Sequence, residues 1–314
     1  MKKTLLSGMV ILGLGLLLMA AGYLFHGAQI IAFQGGWQPV SARTKFSGKV
    51  VKRNVEFNQI YVETRTADVE VRSGSEASVM YTADSKNTPT VKVTNGGVLN
   101  VRQTKASDFS GFYFGVARNE KVVITVPNGR QLRNVTVNSK TGDLRISGQS
   151  VDQLNAFTDT GDAYLANVKA KRAAIYLNNG DAVLKNVSFG SGRLQQTNGD
   201  LTLKDSQLTN VIIHNTDGDV TFTDSQFIKG NLSLSSGDLE ANHNKFSGGV
   251  YTIENKNGGD NEVADTQVKG IRVETNAGTN QLFSKTSEGG TLQQGQNNSN
   301  MLILRTDSGD NEVK

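Results

Sequence analysis

From residue 131 onward, apolar side chains recur at fixed places in a 19-residue cycle. Gly-Asp marks the cycle, at 142–143, 161–162, 180–181, 199–200, 218–219 and 237–238. Gly259-Asp260 follows after 22 residues, Gly278-Thr279 after another 19, and Gly309-Asp310 after a longer gap. Counted from each glycine, position +2 holds Leu144, Ala163, Ala182, Leu201, Val220 and Leu239, and position +4 runs from Ile146 and Leu165 to Val263 and Leu282. Position +9 runs from Val151 to Val268, and position +14 includes Ala156, Ile175, Leu194, Ile213, Leu232, Tyr251, Val273 and Leu292. One 19-residue unit cannot bury a core, whereas stacked units can. The pattern predicts an all-β chain in which residues 131–314 form a β-solenoid of 19-residue repeats. Each coil would supply two strands, near +1 to +5 and +11 to +16. About eight or nine coils, spaced about 4.8 Å apart, would make a rod of roughly 40 Å. The 22-residue step and residues 283–300 read as insertions or a cap. The C-terminal MLILRTDSGDNEVK reads as cover for the last open edge, which would otherwise invite aggregation.

The Gly-Asp word has an architectural explanation. Glycine at a corner supplies backbone conformations that a Cβ disfavours, and the following aspartate can accept hydrogen bonds from turn amides. Gly142, Gly161, Gly180, Gly199, Gly218 and Gly237 are therefore expected as structural turns. The alternative is a cation ladder of Asp162, Asp181, Asp200 and Asp219, one carboxylate per coil, their repulsion relieved by calcium. The nine-residue glycine-rich word of calcium-binding β-rolls is absent, so turn architecture is the preferred reading. A second polar row at +6 (Asn167, Asn186, Asp205, Asp224, His243) reads as the opposite corner.

Residues 46–130 alternate with period two in IYVETR, DVEVRS, SVMYTA, TVKVTN, VLNVRQ and KVVITVPNG, and turn signals separate the runs. They are expected to form an antiparallel β region preceding the repeats. Within it, SDFSGFYFGVARNE (107–120) clusters aromatic residues. Phe112, Tyr113 and Phe114 are candidate contacts for a sugar, a partner or a membrane, against a plainer role as a flap over the end of the core. Residues 26–45, with Gly35-Gly36, Trp37 and Pro39, read as a tether. Residues 5–25 carry no charge and follow Lys2-Lys3. Twenty-one residues at about 1.5 Å each match a hydrocarbon thickness of about 30 Å. They predict a single transmembrane anchor over 1–25, with a cytoplasmic N-terminus and the bulk of the chain outside. A cleaved signal peptide is the rival reading, although this apolar run exceeds the usual length.

Composition narrows the chemistry. The chain has 314 residues, 34 Gly, 3 Pro and no Cys, which excludes disulfides, thiol catalysis and cysteine-bound zinc. Residues 43–133 carry fifteen Lys and Arg against eight Asp and Glu, whereas 134–314 carry sixteen against twenty-one. The basic stretch could face anionic lipid or an anionic wall polymer. No nucleic-acid motif is present, and nucleic acid is not expected as a partner. His26, His214 and His243 lack partners at motif spacing, and no Gly-x-Ser-x-Gly, His-Glu-x-x-His or phosphate loop occurs. Asp159, Asp162 and Asp181 could cluster as in a solenoid glycan hydrolase or lyase, but without specificity. The expectation is a non-enzyme without cofactors.

The run TADVEVRSGSEASVMYTAD, then GGVLNVRQ, then KVVITVPNGRQLRNVTVNSKTGDLRISG, followed by the Gly-Asp repeats, resembles the bacterial putative-adhesin family with β-strand repeats. That family is a domain of unknown function and includes LiaG-like membrane proteins. The resemblance covers roughly 50–314 and departs only at the aromatic loop 109–114. It implies an extracytoplasmic β-solenoid, in some members linked to cell-envelope stress operons, and it carries no catalytic residues. The expected function is a membrane-anchored module that binds an envelope component such as an anionic wall polymer. A regulatory or scaffold partner of a membrane sensor, recognising an envelope protein, is the second reading.

Overall fold

The computed structural model describes residues 12–15, 18, 31–33, 37–39, 46–53, 56–84, 88–104, 113–114, 120–295 and 300–314, with only the backbone described at 31–33, 37–39, 46–53, 83–84 and 113–114. The described structure is almost entirely β.

The 19-residue cycle folds into two rows of parallel strands. The long row comprises Gln131–Thr141, Ser150–Thr160, Lys169–Asn179, the pair Ser188–Phe189 and Gly192–Asn198, then Gln207–Asp217, Gln226–Ser236 and Lys245–Asn255. The short row comprises Leu144–Ser147, Ala163–Ala166, Ala182–Lys185, Leu201–Lys204, Val220–Thr223, Leu239–Asn242 and Asn261–Ala264. Every strand pairs in parallel with its equivalent one cycle on, so that Val137, Ala156, Ile175, Leu194, Ile213, Leu232 and Ile253 stand in one inward row. All seven are buried. The short row does the same with Ile146, Leu165, Leu184, Leu203, Phe222, Ala241 and Val263. In-register stacking puts like beside like. Phe227 and Phe246 stack with centroids 5.0 Å apart, and Phe222 packs on Phe227 at 4.6 Å.

The two corners have different causes. At +6, Asn167, Asn186, Asp205, Asp224, His243 and Asp265 have φ between 49° and 57°. This left-handed conformation is tolerated best by Asn and Asp, which explains the polar row. At the Gly-Asp corner the coils approach so closely that a Cβ on Gly180 would lie 2.2 Å from the carbonyl oxygen of Gly161. Behind this corner, some rungs carry an inward polar group at +16, or at the place paired with it after the 22-residue step, that donates to a glycine carbonyl. Gln196 Nε2 donates to Gly180 O at 2.7 Å, and Asn255 Nδ2 donates to Gly237 O at 2.7 Å.

The ends of the stack differ from the expectation. Gln59–Thr64 pairs in parallel with Asn134–Ser139, and Asp68–Gly74 pairs in parallel with Leu144–Ser147. Residues 59–74 are thus a full rung of the stack, with Ala67 against the glycine corner of the next rung. A further rung consists of Val98–Arg102, parallel to Gln59–Glu63, and Lys121–Pro127, parallel to Asp68–Gly74. Within 46–130, Phe46–Arg53, Ser78–Asp84 and Thr90–Val93 pair antiparallel with their neighbours, and Tyr113–Phe114 pairs antiparallel with Ile31–Phe33. The expected antiparallel region 46–130 is therefore mixed, because Val-rich alternation fits either pairing.

At the other end, Gly249–Asn255 pairs with Asn300–Thr306, which also pairs with Gly270–Thr275. Asn311–Val313 likewise lies between Asn261–Val263 and Asn280–Leu282. The C-terminal segment is an inserted rung and does not cover the last edge. Lys285–Gln294 takes that place, antiparallel to the strand Gly270–Leu282, so Leu292 stands outside the repeat. The 22-residue step moves Tyr251 opposite Gly230, and Ile253 takes over the expected +14 place.

In the expected tether, Ile31–Phe33 pairs with Trp37–Pro39 and with Tyr113–Phe114 in a small separate sheet. Most of the proposed anchor lies outside the described residues. Residues 12–15 and 18 are helical, with Leu12, Leu14 and Leu18 at 66%, 56% and 68% exposure. Among the described residues no helix is long and apolar enough to cross a membrane.

Candidate functional site: an aspartate ladder and an open cleft

The aspartates of the Gly-Asp word form one hydrogen-bonded ladder. The backbone N–H of Asp162 donates to Asp143 Oδ1 at 3.0 Å. The N–H groups of Asp181, Asp200, Asp219 and Asp238 donate to the preceding aspartate at 2.9 Å each. The ladder begins at Asp68, which receives the Asp143 N–H at 3.0 Å. It continues through Asp260 and Asp310 to the N–H of Thr279. Each carboxylate thus satisfies a corner amide of the next rung that the parallel ladder leaves open. Among the described residues no group of three or more His, Asp or Glu side chains could hold a metal ion. The candidate cation ligands Asp162, Asp181, Asp200 and Asp219 are the middle of this ladder.

A second ladder was not foreseen. After Gly-Asp, the last three rungs carry Asn261, Asn311 and Asn280 where earlier rungs carry apolar residues, and all three are buried. Asn261 Nδ2 donates to Asn311 Oδ1 at 2.8 Å, and Asn311 Nδ2 donates to Asn280 Oδ1 at 2.9 Å. Asn280 then donates to the carbonyl of Gly290 at 3.0 Å, tying the ladder to the closing strand. The signal was present in GDNEV at 259–263 and again at 309–313.

A concavity of about 770 Å³ lies on the outer face of the long strands. Its wall includes Phe157 and Tyr176, at +15 in successive cycles, with ring centroids 5.0 Å apart and planes within 4°. That separation equals about one rung, so the rings stand upright from the sheet with their faces along the stack. The neighbour of Phe157 on the preceding rung is Asn138, followed by Glu63. The shorter Asn138 leaves the ring face of Phe157 open toward the cleft. The adjacent outward row is Thr104, Arg65, Lys140, Asp159 and Asn178, all exposed.

The two acids of the cleft already have partners. Glu63 Oε2 lies 3.4 Å from Arg102 Nε, and Asp159 Oδ1 accepts from Asn178 Nδ2 at 3.0 Å. Arg102 also covers the Tyr61 ring at 5.3 Å. Among the described residues neither Arg65 nor Lys140 has an ion-pair partner. The cleft therefore offers an aromatic face, amides and hydroxyls, and two cations on neighbouring rungs, which is equipment for binding.

The other candidates are dispersed. Phe112 lies outside the described residues, as do the side chains of Tyr113 and Phe114. Asp159 belongs to the cleft, whereas Asp162 and Asp181 belong to the corner ladder, so the structure does not gather these three into one site. His214 Nε2 lies 3.4 Å from Thr216 Oγ1, and His243 Nε2 lies 3.5 Å from Asp265 Oδ2 at the other corner. Away from the cleft, a hydrogen bond from Lys121 holds the Glu70 carboxyl below the usual carboxylate range. Burial pushes the Tyr251 phenol well above its ordinary value.

Stacked parallel rungs, closed ends and an open side cleft define an all-β repeat protein. The chain belongs to the Toastrack DUF4097 family, a domain of unknown function whose sequence profile matches residues 57–314. No curated protein matches it. Among solved structures, one described as a putative lipid binding protein from Parabacteroides distasonis ATCC 8503 is 12% identical, with a TM-score of 0.50, covering 86% of this chain and 97% of its own. A putative adhesin from Bacteroides fragilis NCTC 9343 is 12% identical with a TM-score of 0.43, covering 86% and 97%. A putative cell adhesion protein from Clostridium sporogenes ATCC 15579 is 10% identical with a TM-score of 0.31, covering 86% and 99%. The family resemblance read from the sequence is borne out.

Proposed function

We propose that the protein is a membrane-anchored, extracytoplasmic β-solenoid that binds a component of the cell envelope and catalyses no reaction. The open cleft on the long-strand face, lined by an aromatic wall and two cations without described ion-pair partners, carries this reading. A filled interior leaves the sides of the stack as the available surface. The exposed helical leucines Leu12, Leu14 and Leu18 support the anchor, since apolar side chains on a helix without protein cover suit lipid. The uncharged run 5–25 behind Lys2-Lys3 supports a cytoplasmic N-terminus.

The test is co-sedimentation of the detergent-solubilised full chain with isolated cell walls, with and without their anionic polymer, over a salt series. Saturable sedimentation is the expected result. Loss of binding at high salt would assign it to charge. No sedimentation with any wall preparation would overturn the proposal and direct attention to a protein partner in the membrane.

A further inference from the structure

The cleft is more specific than a general adhesive surface. Its rows repeat every rung, about 4.8 Å. Phe157 turns a ring face along this direction, the orientation needed for a sugar ring to lie flat against it. Arg65 and Lys140 stand side by side on adjacent rungs, one residue beyond the paired Thr64 and Ser139. Like charges on directly opposed strand positions destabilise a sheet. Here Asp159, on the next rung, is held by Asn178 and forms no ion pair with Lys140. Glu63 is engaged by Arg102. The cation pair therefore suits an anionic group, and a planar guanidinium can hold a carboxylate at two points.

We infer that this cleft binds an acidic glycan, with a sugar ring stacked on Phe157 and a sugar carboxylate held by Arg65 and Lys140. Asn138 and Asn178 lie within reach of the same run of sugars and supply hydroxyl recognition. The inference rests on the envelope-binding reading and names the ligand class for it. Glycerol-phosphate polymers fit less well, because they offer charge but no sugar ring to lie on the aromatic wall.

The probe is a hexamer of galacturonic acid titrated calorimetrically into the full chain, with its methyl-esterified form and a glycerol-phosphate oligomer as comparisons. The acidic hexamer should bind, and the ester should bind at least tenfold more weakly. Phe157→Ala should weaken binding by about three- to tenfold, the size of one aromatic stacking contact. Lys140→Gln and Arg65→Gln should weaken it and flatten its salt dependence. All three positions are on the surface, and unchanged melting temperatures would verify that the variants fold. Equal affinity for acid and ester, preference for the glycerol-phosphate oligomer, or affinity unmoved by Phe157→Ala and Lys140→Gln would each overturn the inference. Wall sedimentation that persists in Phe157→Ala and Lys140→Gln would sink this assignment while leaving the envelope-binding reading standing. Absence of wall sedimentation alongside hexamer binding would do the reverse.

Discussion

Gly199→Ala tests what the Gly-Asp word is for. At this position φ is +125°, and a Cβ would stand 2.2 Å from the carbonyl oxygen of Gly180 and 2.7 Å from its carbon. Ordinary carbon contacts begin near 3.5 Å, so the added methyl intrudes by roughly 1 Å on a main-chain atom that cannot swing aside. Two costs follow. The backbone conformation costs about 1–3 kcal/mol for a residue with a Cβ, and relieving the overlap by moving rungs costs about 1–3 kcal/mol more. The expected loss is about 2–6 kcal/mol. Gly129→Ala separates the two costs, because Gly129 has φ of +75° but nothing within 4 Å of a built Cβ. It should lose only the conformational part. Urea unfolding followed by far-ultraviolet circular dichroism measures both. If Gly199→Ala cost no more than Gly129→Ala, close rung approach would not be the reason for the word, and the architectural account of the repeat would fail.

The remaining predictions concern other parts of the stack. Tyr251 is buried, and among the described residues its hydroxyl has no hydrogen-bond partner, so Tyr251→Phe should hold or raise stability by up to about 1 kcal/mol. Because burial raises this phenol, its contribution is intact below the unfolded value of about 10 and is lost as pH rises above it. Alkaline melts should therefore show a flatter loss in Tyr251→Phe, and identical profiles would refute this. The lowered Glu70 carboxyl gives the opposite sign, with stability present above about pH 4.3 and lost as pH falls through its folded value. The gap in melting temperature between wild type and Glu70→Gln should accordingly close on acidification. Chelation should leave the melting temperature unchanged, and a rise of several degrees on adding calcium would show that the aspartate ladder binds metal. Deletion of 300–314 should expose the amides of Gly270–Leu282 to hydrogen exchange, because an interior rung is removed. Unchanged protection there would show that the segment is dispensable cover.

Much of this was legible because repetition multiplies a weak signal. A single Leu at +4 means little. The same place filled by Ile146, Leu165, Leu184 and Leu203 defines a wall of the core, and all four are buried. The cleft carries the same kind of signature. Phe157 and Tyr176 are 19 residues apart at an outward position, a spacing that places two rings on adjacent rungs. Phe112, Tyr113 and Phe114 are close in sequence, whereas in a stacked fold closeness follows the period. What the sequence did not reveal was pairing between segments with no shared word. Ala67-Asp68 stands where other rungs have Gly-Asp, and 75 residues separate Asp68 from the amide it accepts. A period search passes over such a rung, because stacking constrains the shape of the corner and leaves the intervening length free.

The two ends share a device for closing the stack. At the N-terminal end, residues 59–74 form the penultimate rung and the chain then builds the outer rung from 98–102 and 121–127. At the C-terminal end, residues 270–282 build an outer rung first, and 300–313 then enter beneath it. In each case the outermost parallel rung comes from an internal stretch of chain and carries antiparallel cover, from Ser78–Asp84 and Thr90–Val93 at one end and from Lys285–Gln294 at the other. The last of these includes Lys285, Glu288 and Gly289-Gly290, features that disfavour pairing with another strand. Outer rungs fixed between chain segments on both sides resist fraying, and covered edges resist end-to-end growth. With the ends covered and the interior filled, the outward rows are the described surface on which the proposed binding would be built. There each substitution is repeated at rung spacing or set against its neighbours. A row of Arg65, Lys140, Asp159 and Asn178 beside Phe157 and Tyr176 is such a departure from the polar background, and it lies where the fold leaves residues free to vary.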